Sequence, residues 1–145
     1  MMKVLMINGP NLNLLGIREP DIYGSKTYQD LCFFIEAVAK DSDVTYEIRQ
    51  TNHEGLIVEW IHDAYQKFDG IIINAAAYTH TSIAILDALK AVGIPSIEVH
   101  LSNLDEREEF RKISYVGKAC LACFSGKGFE SYKEAMLYLE GELKR

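Results

Sequence analysis

Ile71-Ile72-Ile73-Asn74, then Thr81 to Val92, then Ser96-Ile97-Glu98-Val99-His100: this stretch decides the fold. Its first run is short, β-branched and apolar throughout, which reads as a buried strand. Thr81–Val92 reads as a helix, with Gly93 as its C-cap and Pro95 as a stop. Ser96–His100 reads as the next strand. Strand, helix and strand in succession form a βαβ unit, whose strands run parallel.

The alternation continues in both directions. Lys3–Ile7 reads as the first strand. Tyr28–Lys40 is a helix with a stripe of Leu31, Phe34, Ile35 and Val38, capped by Thr27 or Ser25. Val44–Gln50 is a second strand, polar enough for a sheet edge. Leu56–Phe68 is a helix with Ile57, Trp60, Ile61 and Ala64 on one face. Beyond the central unit, Arg107–Ile113 reads as a short helix, Ala119–Phe124 as a fifth strand and Tyr132–Leu143 as the closing helix. This β-α pattern, repeated five times, predicts an α/β, flavodoxin-like three-layer fold. Its five-stranded parallel sheet should have the order 2-1-3-4-5. No repeat, low-complexity tract or linker interrupts it, so residues 1–145 read as one domain.

The net charge is −6, which disfavours nucleic acid as a partner, since such binding depends on Lys and Arg at phosphates. An anionic small molecule is still allowed, because a site can be locally positive in an acidic protein. No apolar run approaches the roughly 20 residues of a membrane span. Met1 to Ile7 is too short for a secretory signal and reads as core strand. Three cysteines, an odd number in a chain large enough to need no staples, point to a reduced, cytoplasmic setting. Cys120-Leu121-Ala122-Cys123 has redox spacing but lies in a strand-like run. The expectation is two buried small residues on opposite faces.

In an open parallel sheet, ligands bind beyond the carboxyl ends of the strands. Those ends carry Asn8, Gly9, Pro10 and Asn11; Asn52, His53 and Glu54; Asn74, Tyr78 and His80; and Glu98, His100, Leu101, Ser102 and Asn103. Arg107 and Arg111 follow. The connection from Asn8 to Lys26 is long, and loops of that length are usually functional. The set is rich in proton-transfer groups and donors. A phosphorylation receiver would need an acidic pair after the first strand and an Asp after the third, where Asn8-Gly9 and Asn74 stand. A flavin phosphate loop would need Ser, Thr and Gly where Pro10 and several leucines stand. His80, Glu98 and His100 could meet at a metal, but they lack a short ligand spacing; hydrogen-bonded or packed histidines are the preferred reading.

Five segments resemble the type II 3-dehydroquinate dehydratases. They are Asn8-Gly9-Pro10-Asn11-Leu12-Asn13-Leu14-Leu15-Gly16 with Arg18-Glu19-Pro20 and Tyr23-Gly24; Gln50-Thr51-Asn52-His53-Glu54-Gly55; Asn74 to Ser82; Glu98 to Asn103; and Arg107-Glu108-Glu109-Phe110-Arg111. The resemblance spans essentially the whole chain. It implies an anti elimination of water from 3-dehydroquinate through an enolate, giving 3-dehydroshikimate, without cofactor or metal, in a dodecamer built from trimers. The role would be aromatic biosynthesis by the shikimate pathway. The alternatives are the same reaction in quinate breakdown, or another acid-base lyase or isomerase on a hydroxylated cyclic acid.

By that resemblance Tyr23 is the general base, where the residues alone allow a surface tyrosine. A tyrosine pKa of about 10 must fall by about 3 units for such work, or ~4 kcal/mol. A cation about 4 Å away supplies roughly that much at an effective dielectric of ~20. Arg18 matches that cation. Asn11 matches the enolate-stabilising residue, through a water, whereas Asn13 could instead shape the loop. His100 matches the general acid, otherwise a core histidine. Glu98, two residues earlier, faces the same side, orients the imidazole and favours its protonated form. The amides of Leu101 and Ser102, with Asn74, match the carboxylate site. His80 and Arg111 match further substrate ligands, and Asp87 a residue that reaches the neighbouring subunit's site. Arg107 matches a lid or loop arginine, or else is a solvated helix residue. Three departures stand out. Ala76 occupies a place where the family often has glycine, Leu86 one where it has arginine, and Gly117-Lys118-Ala119-Cys120 an atypical stretch.

Overall fold

The computed structural model describes residues 1–17, 21 and 25–145. Five strands form one parallel sheet: β1 (Met2–Asn8), β2 (Val44–Gln50), β3 (Gly70–Asn74), β4 (Ser96–Val99) and β5 (Ala122–Phe124), in the order β2-β1-β3-β4-β5. The expected order is borne out, and the polar β2 is an edge.

Alternation along the strands divides the core in two. Val4, Met6, Ile72, Ile97 and Val99 face α1 (Tyr28–Ala39) and α4 (Phe129–Leu143), where Leu31, Ile35, Tyr132, Met136 and Leu139 are buried. Leu5, Ile7, Ile71 and Ile73 face α2 (Glu54–Ala64) and α3 (Ile83–Val92), where Ile57, Ile61, Ile85 and Leu89 are buried. Each helix alone would be marginal at these lengths; its apolar stripe holds it to the sheet. Thr27 caps α1 in a reciprocal capping box with Asp30, and Ser82 caps α3 through Ile85 N at 2.9 Å.

Three expectations are corrected. The α2 helix stops at Ala64 instead of reaching Phe68, because Gln66 takes a left-handed φ of 64°. No α-helix forms over Arg107–Ile113; the chain makes 3-10 turns at Leu104–Glu106 and Glu109–Arg111. The fifth strand begins at Ala122, after another 3-10 turn at Val116–Ala119. Cys120 therefore lies outside the strand, half-buried, and Cys123 is exposed, so the cysteines are not a pair of buried strand residues. Burial first, and the Glu98 carboxylate second, push both thiols up to about 12. That is opposite to the depressed thiol of a redox motif.

Two backbone positions shape the strand ends. A Cβ on Gly9 would lie 2.6 Å from the Ala75 carbonyl oxygen, so only glycine lets β1 and the turn after β3 approach this closely. Ala76 has φ 53°, the left-handed conformation that glycine would adopt freely. That conformation costs an L-residue about 1–2 kcal/mol, partly offset by alanine's stiffer unfolded chain. Ala76→Gly should therefore stabilise the protein by about 0.5–1 kcal/mol, a melting-temperature rise of roughly 2–4 °C by calorimetry. A fall in melting temperature would show that the methyl's packing outweighs the strain.

Candidate active site

The carboxyl ends of β1, β3 and β4 open into one pocket of about 200 Å³. The loop after β1 contributes Pro10, Asn11, Leu12 and Leu15. Asn74, Ala76, Ala77 and His80 come from the end of β3 and its turn, and His100, Leu101 and Ser102 from the end of β4. Leu104, Arg107 and Arg111 close the far wall. Eight of the residues expected at the site thus meet here. Glu98 lies just beneath them. Asp87 is exposed on α3 and does not line this pocket. Arg18 and Tyr23 lie outside the described residues.

The centre of the site is a buried imidazole–carboxylate pair. His100 is 4% exposed and Glu98 2%. His100 Nε2 and Glu98 Oε2 are 2.6 Å apart. The Ser114 hydroxyl donates to the same Oε2, also at 2.6 Å. Burial works to raise the Glu98 pKa, but hydrogen bonds from His100, Ser114 and Cys123 outweigh it and hold the carboxyl below its ordinary value. With Nε2 committed, Nδ1 is the nitrogen that His100 can present to a ligand.

Glu98, His100 and Cys123 bring oxygen, nitrogen and sulfur within 4.8 Å, a donor set that a cation such as zinc accepts. Two ligands of one tetrahedral ion, each about 2.1 Å from it, would sit roughly 3.4 Å apart. The oxygen and nitrogen here sit at hydrogen-bonding distance instead. The cluster is built as a hydrogen-bonded pair, and the set His80, Glu98 and His100 does not converge as metal ligands.

Around this pair the pocket is rich in donors. Among the described residues, no hydrogen bond takes the amides of Leu101 or Ser102. Arg107 is largely buried, and its Nη1 donates to Ser102 Oγ at 3.3 Å. It is a wall of the pocket, not a solvated helix residue. Arg111 Nε donates to Glu108 Oε1 at 3.1 Å, which leaves its other nitrogens for a ligand. The result is an anion cradle inside an acidic protein.

Asn74 is held from both ends. Its Nδ2 donates to the Tyr132 hydroxyl at 2.9 Å and its Oδ1 accepts from Ala76 N at 3.1 Å. One amide hydrogen is left for the pocket. Tyr132 in turn donates to Asn8 Oδ1 at 2.7 Å, and burial drives its own pKa up. Asn8 is fully buried, so this strand-end residue is structural. Tyr132 went unrecognised in the sequence; its one signal is a polar tip at a core position of the closing helix. Asn11 adopts φ 70°, which asparagine tolerates, and its amide donates to Asn52 Oδ1 at 3.0 Å. Gln50 Nε2 bonds Asn13 Oδ1, Asn52 Oδ1 and Gly9 O, tying the loop to the end of β2.

His80 Nδ1 lies 2.7 Å from Ile113 O, so this nitrogen carries the hydrogen and Nε2 is an acceptor. Desolvation is the main cause that holds its pKa down, assisted by the neighbouring His100 and Arg111. A neutral His80 suits a substrate hydroxyl. Its depressed value also affects stability. As pH falls below about 6.5, the unfolded chain binds this proton before the folded one does, and stability drops. His80→Asn should flatten that part of the profile. Urea midpoints measured from pH 7 to pH 5 check this, and parallel curves for parent and variant would refute it.

A parallel α/β sheet that carries a buried acid–base pair and an anion cradle at its carboxyl edge defines an enzyme of proton-transfer chemistry on the flavodoxin-like fold. The family model described as Dehydroquinase class II matches residues 2–140, and the chain belongs to that family. A 3-dehydroquinate dehydratase from Fusobacterium nucleatum subsp. nucleatum is 52% identical over 141 residues, 95% of this chain and 96% of the relative. One from Caldicellulosiruptor bescii is 55% identical over 141 residues, 97% of each chain. The crystal structure of a type II dehydroquinase from Butyrivibrio crossotus superposes with a TM-score of 0.94 at 49% identity, covering 96% of this chain and 97% of that one.

Proposed function

We propose that this chain is a hydro-lyase that converts 3-dehydroquinate to 3-dehydroshikimate, a step of the shikimate pathway toward aromatic amino acids. The observation that carries the reading is the buried pair His100–Glu98 beside an anion cradle, in a chain of the dehydroquinase class II family.

The Tyr23 phenolate takes a proton from the carbon beside the substrate ketone, with Arg18 stabilising the phenolate. The electron pair moves into the ring as an enolate, which Asn11 stabilises through a water. As the double bond forms, the carbon–oxygen bond of the leaving hydroxyl breaks. His100 gives that oxygen a proton, so that water departs. Tyr23 ends protonated and His100 neutral; proton exchange with solvent resets both. Glu98 keeps the imidazole in place. The amides of Leu101 and Ser102, with Asn74, hold the substrate carboxylate, and His80, Arg107 and Arg111 hold its other oxygens.

No helix among the described residues is long and apolar enough to cross a membrane. We place the enzyme in the cytoplasm, as one catalytic domain in a homododecamer built from trimers. Asp87 reaches the neighbouring subunit's site. Ile83, one turn before Asp87 on the same exposed face of α3, gives that contact an apolar anchor.

Purified protein given 3-dehydroquinate should produce the ultraviolet absorbance of the conjugated product, with a chelator present and no added metal. No rise in absorbance would sink the proposal. Tyr23→Phe should fold normally by circular dichroism and lose about 10²–10⁴-fold in kcat. Turnover near the parent's would remove Tyr23 as the base.

A further inference from the structure

The Glu98 carboxylate is gripped from a segment that the proposed mechanism does not use. Gly117 N donates to Ser114 Oγ at 2.8 Å, and Ser114 donates onward to Glu98 Oε2 at 2.6 Å. The same oxygen meets His100 Nε2. A backbone amide, a hydroxyl, a carboxylate and an imidazole thus run in one line from the Val116–Ala119 turn to the pocket. The other carboxylate oxygen occupies the space where a side chain at position 117 would begin. A Cβ on Gly117 would lie 2.4 Å from Glu98 Oε1 and 2.9 Å from Ser114 Oγ. Glycine is needed here for space, since its φ is not positive.

We propose that Ser114 is a positioning residue for the proton donor: it locks the rotamer of Glu98, and through Glu98 the orientation and protonation of His100, with Gly117 as the clearance that lets it do so. The inference rests on His100 as the acid. The Ser114 hydroxyl has no reason to be spent on a surface contact, and a buried carboxylate without its donors would turn toward solvent. Polarisation along the line strengthens each bond in it. The bond also helps hold Glu98 ionised, in concert with His100 and Cys123. The segment is itself fixed by Tyr115 N, which donates to Thr79 O at 2.9 Å, next to His80. Among the described residues, the charged or titratable groups around the His100 ring are Glu98 on β4, Cys123 on β5, His80 after β3, and Arg107 and Arg111 after β4. Of these, Glu98 is the one that Ser114 touches.

Three variants test this: Ser114→Ala, Ser114→Thr and Gly117→Ala, each checked for folding by circular dichroism. Two readouts are taken. One is kcat and KM on 3-dehydroquinate across pH. The other is the pH dependence of His100 acylation by diethyl pyrocarbonate, followed at His100 by peptide mass spectrometry. Ser114→Ala should lower kcat about ten- to hundredfold, as loss of a hydrogen bond to a buried charge does, with KM within about threefold. The alkaline limb of kcat should move to lower pH. Acylation of His100 should likewise set in at lower pH than in the parent. Ser114→Thr, which keeps the hydroxyl, should restore both. Gly117→Ala should resemble Ser114→Ala, and it carries the test alone if Ser114→Ala does not fold. An unchanged kcat and acylation profile in a folded variant overturns the proposal. So does a loss of kcat with no shift in His100 reactivity and no rescue by threonine, because that would be a merely structural effect. If the parent itself fails to turn over 3-dehydroquinate, the proposed function falls, while the acylation profile still decides whether Ser114 acts on His100.

Discussion

A carboxylate cannot be taken out of water without partners, and Glu98 is almost wholly buried at the carboxyl end of β4. Much of the surrounding architecture follows from that demand. Glu98 and His100 point to the sheet face that α2 and α3 cover, because Ile97 and Val99 point to the other. An α-helical crossover between β4 and β5 would present apolar side chains to this face. The chain instead makes 3-10 turns, and the last of them brings the Ser114 hydroxyl and the bare Cα of Gly117 against the carboxylate. The lack of an α-helix between β4 and β5 and the shortness of β5 both go with satisfying this one buried charge.

The opposite face solves a second version of the same problem. Asn8 and Asn74 end adjacent strands and are buried there. Tyr132, on α4, supplies one hydroxyl that serves both, donating to Asn8 and accepting from Asn74. The pocket is therefore supported from both faces of the sheet, through Glu98 on one and Tyr132 on the other. Glu98 in turn is held by Ser114, so each face draws on a segment distant in sequence. Groups held this way lose little freedom when a ligand arrives, which is what precise acid-base geometry requires.

The layered fold was legible because its signals are local. The run Ile71-Ile72-Ile73, the stop at Gly93 and Pro95, and the stripe in α1 each need only their own neighbourhood. The strand-end rule then located the pocket. Glu98 and His100 were legible as a pair because two residues on one strand share a face. Ser114 and Tyr132 were not, because their partners lie 16 and 58 residues away and no periodicity encodes that distance. The short helix read into Arg107–Ile113 failed for a related reason. Arg107 and Arg111 have helical spacing, yet both line the pocket, where Arg107 bonds Ser102 and each arginine is braced on Glu108, so helix propensity yields to the site.

Charge explains why an acidic chain suits the proposed anionic substrate. The Glu98 carboxylate faces His100 and Ser114, while the pocket itself presents Arg107, Arg111 and the amides after β4. On the proposed mechanism, a protonated His100 cancels the Glu98 charge before the reaction. Once His100 has given up its proton, the carboxylate is left with neutral partners in a site of low dielectric. It then depends on its remaining donors, Ser114 and Cys123, to stay in place. Ser114 keeps Glu98 turned toward the imidazole, and so couples the fold of the β4–β5 connection to the position of the proton donor.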